Sequence, residues 1–187
     1  QNDGYGFYQY DPWAGTWPQL ADCPLDAGNN GGAAYLDGRI YTAYTSQGDL
    51  GIYDIAGNSW STRPSGLGYY GNIASDGASL YLVGGYTLAR YDPATDAWTY
   101  LAAPPFYFEP WGGLQHLEGV LYGHQGNGDV GFARYDIASN TWMDLPDVPG
   151  GAVLGSAIDP AARIYYAYGS YGGTNWYAYA IGGGSWS

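Results

Sequence analysis

Short apolar runs, each closed by glycine, aspartate or proline, set the pattern of this chain. GAAYL from Gly32, GNIAS from Gly71, GGLQHL from Gly112 and GSAI from Gly155 are small-residue and apolar stretches. The pairs Asp37-Gly38, Asp76-Gly77 and Glu118-Gly119 follow three of them. Asp-Gly between apolar runs is a strong signal for a two-residue hairpin turn. A second run centres on Tyr41, Tyr81, Tyr122 and Tyr165. After a variable Gly-rich loop comes a third run that ends in Tyr, and a fourth begins at Trp and leads into a Pro-containing link. The pattern predicts four short antiparallel strands per unit and no extended helix.

The junction of the third and fourth strands recurs at fixed spacing. Tyr10 and Trp17 bracket DPWAGT, Tyr53 and Trp60 bracket DIAGNS, Tyr91 and Trp98 bracket DPATDA, and Tyr135 and Trp142 bracket DIASNT. Tyr179 and Trp186 bracket AIGGGS, which lacks the aspartate. The tryptophans lie 43, 38, 44 and 44 residues apart. A period of this length in a strand-rich chain points to propeller blades. The Asp side chain can accept backbone N–H bonds two residues on and so hold the turn. The Trp can fill the wedge between neighbouring blades while its indole N–H finds a partner at the rim.

The fold class expected is all-β, a β-propeller of four four-stranded blades plus an N-terminal half blade. As a single domain over 1–187 it divides into a hairpin within 1–24 and blades at about 25–62, 63–103, 104–147 and 148–187. Five outer hairpins but only four inner strand pairs leave the ring open. Three arrangements fit: part of a longer propeller, a compact ring with the hairpin packed irregularly, or completion by another copy of the chain. Unpaired strand edges invite the last of these, and a heterologous contact that does not close gives a filament.

The chain resembles the kelch-type β-propellers. The resemblance is carried by LYLVGG (Leu80 to Gly85), by YDPATDAWTYLAAPP and by the Asp-Gly turn before SLY, and it extends over essentially the whole chain. The Gly-Gly doublet is clean only in that repeat; the others read IYTAYT, LYGHQG and IYYAYG. It implies the fold more than the function: most such propellers are binding scaffolds, and a minority, such as the galactose oxidase group, are enzymes. The Tyr, His and Cys copper constellation of that group does not map here, because Cys23 is at the wrong kind of position.

Composition narrows the partners. A net charge of −12 from 17 acidic residues against 5 arginines argues against nucleic acid and anionic membranes. No run approaches the roughly 20 apolar residues of a spanning helix. The dense Asp spacing of a calcium loop is absent. Cys23 is the only cysteine, so it is either a small buried residue or a crosslink between chains. The Lys-free, Tyr- and Gly-rich composition and the QNDG start favour an extracellular or surface-displayed protein. His116, in a predicted inner strand, and His124, in the loop expected after LYG, do not form a metal-ligand pattern. No nucleophile elbow occurs, and Glu109 has no carboxylate partner for glycoside hydrolysis. The chain is therefore read as non-catalytic, without cofactor or metal, with a propeller-scaffold enzyme as the third choice.

Binding has more support. Tyr69, Tyr70, Phe106, Tyr107, Phe108, Glu109, Trp111, His124, Tyr171 and Trp176 fall in loops and links expected on one face. Aromatic faces beside amides and carboxylates suit a glycan ligand, and exposed aromatics equally suit a protein; alternatively Phe106, Phe108 and Trp111 plug the gap between blades. For self-association the candidates are Tyr5, Phe7, Tyr8, Trp13 and Trp17 on the half blade and Trp186 at the far end.

Overall fold

A computed structural model describes residues 5–25, 32–43, 48–64, 71–109, 111–169 and 175–187. Among them the regular structure is all β, with no helix, and its strands form four antiparallel four-stranded blades. The first contains β1 (Gly32–Leu36), β2 (Arg39–Ala43), β3 (Asp49–Asp54) and β4 (Ser59–Pro64). The second contains β5 (Asn72–Ser75), β6 (Leu80–Gly84), β7 (Thr87–Asp92) and β8 (Ala97–Tyr100). The third contains β9 (Gly113–Leu117), β10 (Val120–Gly126), β11 (Asp129–Asp136) and β12 (Thr141–Asp144). The fourth contains β13 (Ala152–Asp159), β14 (Ile164–Gly169), β15 (Asn175–Ala180) and β16 (Ser185–Trp186).

Within each blade the strands pair in chain order, and the innermost strands pack side by side, β1 on β5, β5 on β9 and β9 on β13. This is the propeller arrangement. Residues 5–25 form a loosely bridged hairpin, Tyr8 opposite Gln19 and Asp11 opposite Thr16, which stands as the outer strands of a preceding blade. No helix of the described residues is long and apolar enough to cross a membrane.

Turn chemistry explains the hairpins. Asp37 and Gly38 both take positive φ (47° and 74°), as do Glu118 and Gly119 (51° and 80°), so both are two-residue turns of the expected kind. The second blade departs from this. Ser75 pairs with Leu80, so Asp76 to Ser79 form a four-residue loop. The physical reason is Asp76, whose Oδ1 accepts the N–H groups of Ala78 and Ser79 at 2.8 and 2.7 Å while its Oδ2 accepts the Tyr81 hydroxyl. A second correction concerns the fourth blade. The residues opposite the position before the repeat Tyr are Tyr41, Tyr81, Tyr122 and Tyr166, so Tyr166, not Tyr165, continues that series.

The core lies between blades. One apolar cluster joins Tyr41, Leu50 and Ile52 of the first blade to Leu80, Leu82 and Tyr91 of the second. The next joins Tyr81, Val83 and Leu88 to Leu121 and Tyr135, and a third joins Tyr122 and Phe132 to Tyr165 and Tyr179. Each blade is thus stable only against a neighbour, as expected of stacked repeats.

Candidate functional site

The Tyr-x6-Trp unit builds a clamp between blades. Tyr and Trp face each other directly across the third and fourth strands, as Tyr53 does Trp60 and Tyr135 does Trp142, with ring centroids 5.1 and 5.2 Å apart. Between them an Asp accepts turn amides: Asp54 Oδ1 from Gly57, Asp92 Oδ1 from Ala94, Asp136 Oδ1 from Ser139. The residue five after the Tyr is Asn58, Asp96 or Asn140, each at positive φ of 45° to 54°, where Asn, Asp and Gly are tolerated. Gly15 and Gly184 fill the same place in the hairpin and the last blade.

That residue and the Trp both reach the preceding unit. Asn140 Oδ1 accepts the Tyr135 hydroxyl at 2.7 Å and the Ala102 N–H at 2.8 Å, and the Trp142 indole donates to Ala102 O at 2.9 Å. Asn58 and Trp60 hold Ala21 in the same way, at 2.9 Å each. The clamp thus takes both the N–H and the C=O of one link residue. Where the link residue is Pro64, which has no N–H, the clamp residue is Asp96. Its carboxylate accepts the Tyr91 hydroxyl at 2.6 Å and lies 3.3 Å from the Arg63 guanidinium. Where it is Pro146, the clamp residue is Gly184 and the Trp186 indole alone holds Pro146 O at 2.8 Å. Trp60, Trp142 and Trp186 are half-buried rather than fully buried because each lies at the rim with its indole N–H spent on this bond.

The loop-end face carries a second constellation. The β6–β7 loop is tied to the following link by a pair of bonds between Gly85 and Phe108, at 2.9 and 2.8 Å. Glu109 adds a bond to Gln125 O, and the buried Asn72 amide donates to Glu109 O at 3.1 Å. Phe108 is 1% exposed and lies over Gly123, where any Cβ would come within 2.8 Å of its ring. On this fixed support Tyr86 and Tyr107 form an edge-to-face pair with centroids 5.5 Å apart, and both are exposed.

Of the sequence candidates, Tyr107 and Trp176 are open to solvent, and Phe106, Glu109 and Trp111 are half-buried. Tyr69, Tyr70 and Tyr171 lie outside the described residues. Phe108 is a core plug. His124 is not in a loop: it lies on β10, is fully buried, and its Nδ1 is 2.7 Å from the Tyr165 hydroxyl. Loss of hydration pushes its pKa down to about 3, so it is a neutral packing residue. His116 is occupied too, its Nε2 accepting the Gly119 N–H at 3.0 Å. Tyr86 and Tyr168 were missed. Tyr86 directly follows the Gly84-Gly85 doublet, which is the signal that a loop side chain is presented there; Tyr168 packs at a tilt against Trp176, with ring centroids 4.9 Å apart.

Of the self-association candidates, two are engaged within the chain. Phe7 packs on Tyr53 and Trp60, at 4.8 and 5.2 Å, and Trp186 packs on Phe132 at 4.9 Å. The first blade therefore covers that face of the hairpin. Tyr5, Tyr8, Trp13 and Trp17 remain exposed. Cys23 is buried against Trp60.

The chain is similar to the kelch-like protein terF of Aspergillus terreus, with 25% identity over 158 residues that make up 75% of this chain and 27% of that protein. The repeats are thus similar to those of a kelch-like protein. The chain spans about a quarter of that relative's length. No protein-family model matches it.

Proposed function

We propose that this kelch-type propeller is a non-catalytic interaction module whose loop-end aromatic surface engages a protein or glycan partner. The observation that carries the reading is the Tyr86–Tyr107 pair: two large exposed rings held on a hydrogen-bonded link, one of which the Gly-Gly doublet presents. Rigid aromatics with few torsions bind at low entropic cost, and tyrosine is over-represented among residues that dominate interfaces. The −12 charge favours a neutral or basic partner. The Lys-free composition supports an extracellular or surface location.

The test is binding of the wild type and a Tyr86→Ala/Tyr107→Ala variant to an oligosaccharide array and to a displayed-peptide library. Both side chains are exposed, so the variant keeps its melting temperature. Ligands retained by the wild type and lost by the variant support the reading, and the library that supplies them names the partner class. If every ligand binds both proteins equally, the surface is not the site.

A second reading, self-association, is favoured by the exposed Tyr8, Trp13 and Trp17 of the hairpin.

A further inference from the structure

The junctions between blades are not alike. The residue before the repeat Tyr lies opposite Tyr41, Tyr81 or Tyr122 of its own blade and faces the next one. In the second and third blades it is an arginine. The charge of Arg90 acts on Tyr135, and that of Arg134 on Tyr179, across the junction. In the first blade it is the buried Ile52, which has no charged end. Two arginines stand at the rim of this junction instead. Arg39 is opposite Asp54, where the third blade sets Val120 opposite Asp136. Arg63 is opposite Leu50; Leu101 and Leu145 take its place, bonded to Leu88 and Phe132.

A cleft of about 260 Å³ opens here between the first two blades, lined by Ile52, Tyr41, Trp60, Tyr91 and both arginines. Through Arg39, Tyr41 and Pro93 it adjoins a second cleft of about 550 Å³. Arg39 Nε lies 3.8 Å from Asp54, and Arg63 Nε lies 3.3 Å from Asp96. Arg63 Nη1 also donates to Thr62 O at 3.1 Å. A guanidinium has five N–H donors and both side chains are 47% exposed, so donors remain for a ligand.

We propose that this cleft binds an acidic saccharide, its carboxylate held by Arg39 and Arg63. A guanidinium fork meets a carboxylate in two parallel bonds. Trp60 and Pro93 offer apolar surface to the C–H face of a sugar ring, and Ser59, Ser61, Asp54 and Asp96 offer partners to its hydroxyls. Concave sites with a few placed polar groups are the usual form of a small-ligand site. The chain as a whole is acidic, but two of its five arginines meet at this cleft. The site is separate from the Tyr86–Tyr107 surface and does not depend on it.

Calorimetric titration of the intact chain with a galacturonate trisaccharide, and with the methyl ester of the same trisaccharide, tests it. The wild type binds the acid and holds the ester at least tenfold more weakly, as loss of a charged hydrogen-bond partner implies. Arg39→Val and Arg63→Leu install the residues of the third blade, and each weakens binding of the acid at least tenfold. Both ion pairs are exposed, so melting shifts little in either variant. Arg39→Lys keeps the charge without the fork and falls between. The Tyr86→Ala/Tyr107→Ala variant binds the acid as the wild type does. A wild type that does not bind the acid overturns the proposal, as does equal affinity for acid and ester. Binding that is lost in the tyrosine variant and kept in the arginine variants also overturns it, and places the saccharide on the loop-end surface.

Discussion

Replacing Asn140 by Gly, Ala and Asp separates the parts of the blade clamp. Asn140 Oδ1 accepts two bonds, from the Tyr135 hydroxyl and the Ala102 N–H, and the residue sits at φ 54°. Glycine removes the acceptor without backbone strain. Each lost bond is worth about 1 kcal/mol, so Asn140→Gly costs about 2 kcal/mol. Alanine loses the same bonds and adds about 1 kcal/mol for the left-handed conformation. Aspartate keeps the acceptor and the φ tolerance, as Asp96 does for Tyr91. In a chain of this size 1 kcal/mol moves Tm by about 2–4 °C. Thermal melting followed by circular dichroism, with urea midpoints as a check, therefore gives Asp close to wild type, Gly lower by about 4–8 °C and Ala lower still. The reasoning fails if Gly melts with the wild type, or if Asp is as damaging as Gly.

Trp98→Ala removes a half-buried ring from the cluster of Tyr91 and Leu50 and costs about 3 kcal/mol; a melt within a degree or so of wild type would show that the ring does not hold the blades together. His124, neutral and with its pKa lowered, takes up a proton more readily in the unfolded chain. Its contribution is therefore complete above the unfolded pKa of about 6.5 and is lost as pH falls from there towards the folded value, by up to about 1.4 kcal/mol per pH unit. Urea midpoints measured between neutral and mildly acidic pH should fall less steeply for His124→Gln than for wild type; parallel slopes would mean that another group carries the acid sensitivity. The Arg163–Glu118 ion pair is exposed, so Glu118→Gln should shift stability by less than about 1 kcal/mol, as chemical denaturation would show.

The fold was legible in the sequence because one physical demand recurs. A third strand must turn into a fourth while its neighbour's link is held, and that needs Tyr, Asp, a φ-tolerant residue and Trp at fixed offsets. The errors came where a side chain competes with a simple rule. Asp76 captures two amides and widens a turn that Asp-Gly alone would make tight. Tyr165 and Tyr166 are adjacent and both aromatic, so only strand register separates the core residue from the one that faces outward. His124 follows a glycine in a Gly-rich run that reads as loop, yet the run pairs as strand because Phe108 packs over Gly123. The candidate site was half legible. The run from Phe106 to Trp111 was found, but aromatic composition cannot separate Phe108, which plugs, from Tyr107, which points out.

The same offsets show how neighbouring units are matched. Asn58 and Asn140 follow links whose clamped residue is Ala21 or Ala102, each with an N–H to give. Asp96 and Gly184 follow links with Pro64 and Pro146, which have none. An amide acceptor placed opposite proline would have lost one of its two donors, and an aspartate there gains Arg63 instead. Order along the stack is thus written in pairs of residues 32 to 38 apart, one in the link and one in the turn. The hairpin carries Gly15 in the turn, the choice that in the last blade goes with a proline link and a bond from the indole alone.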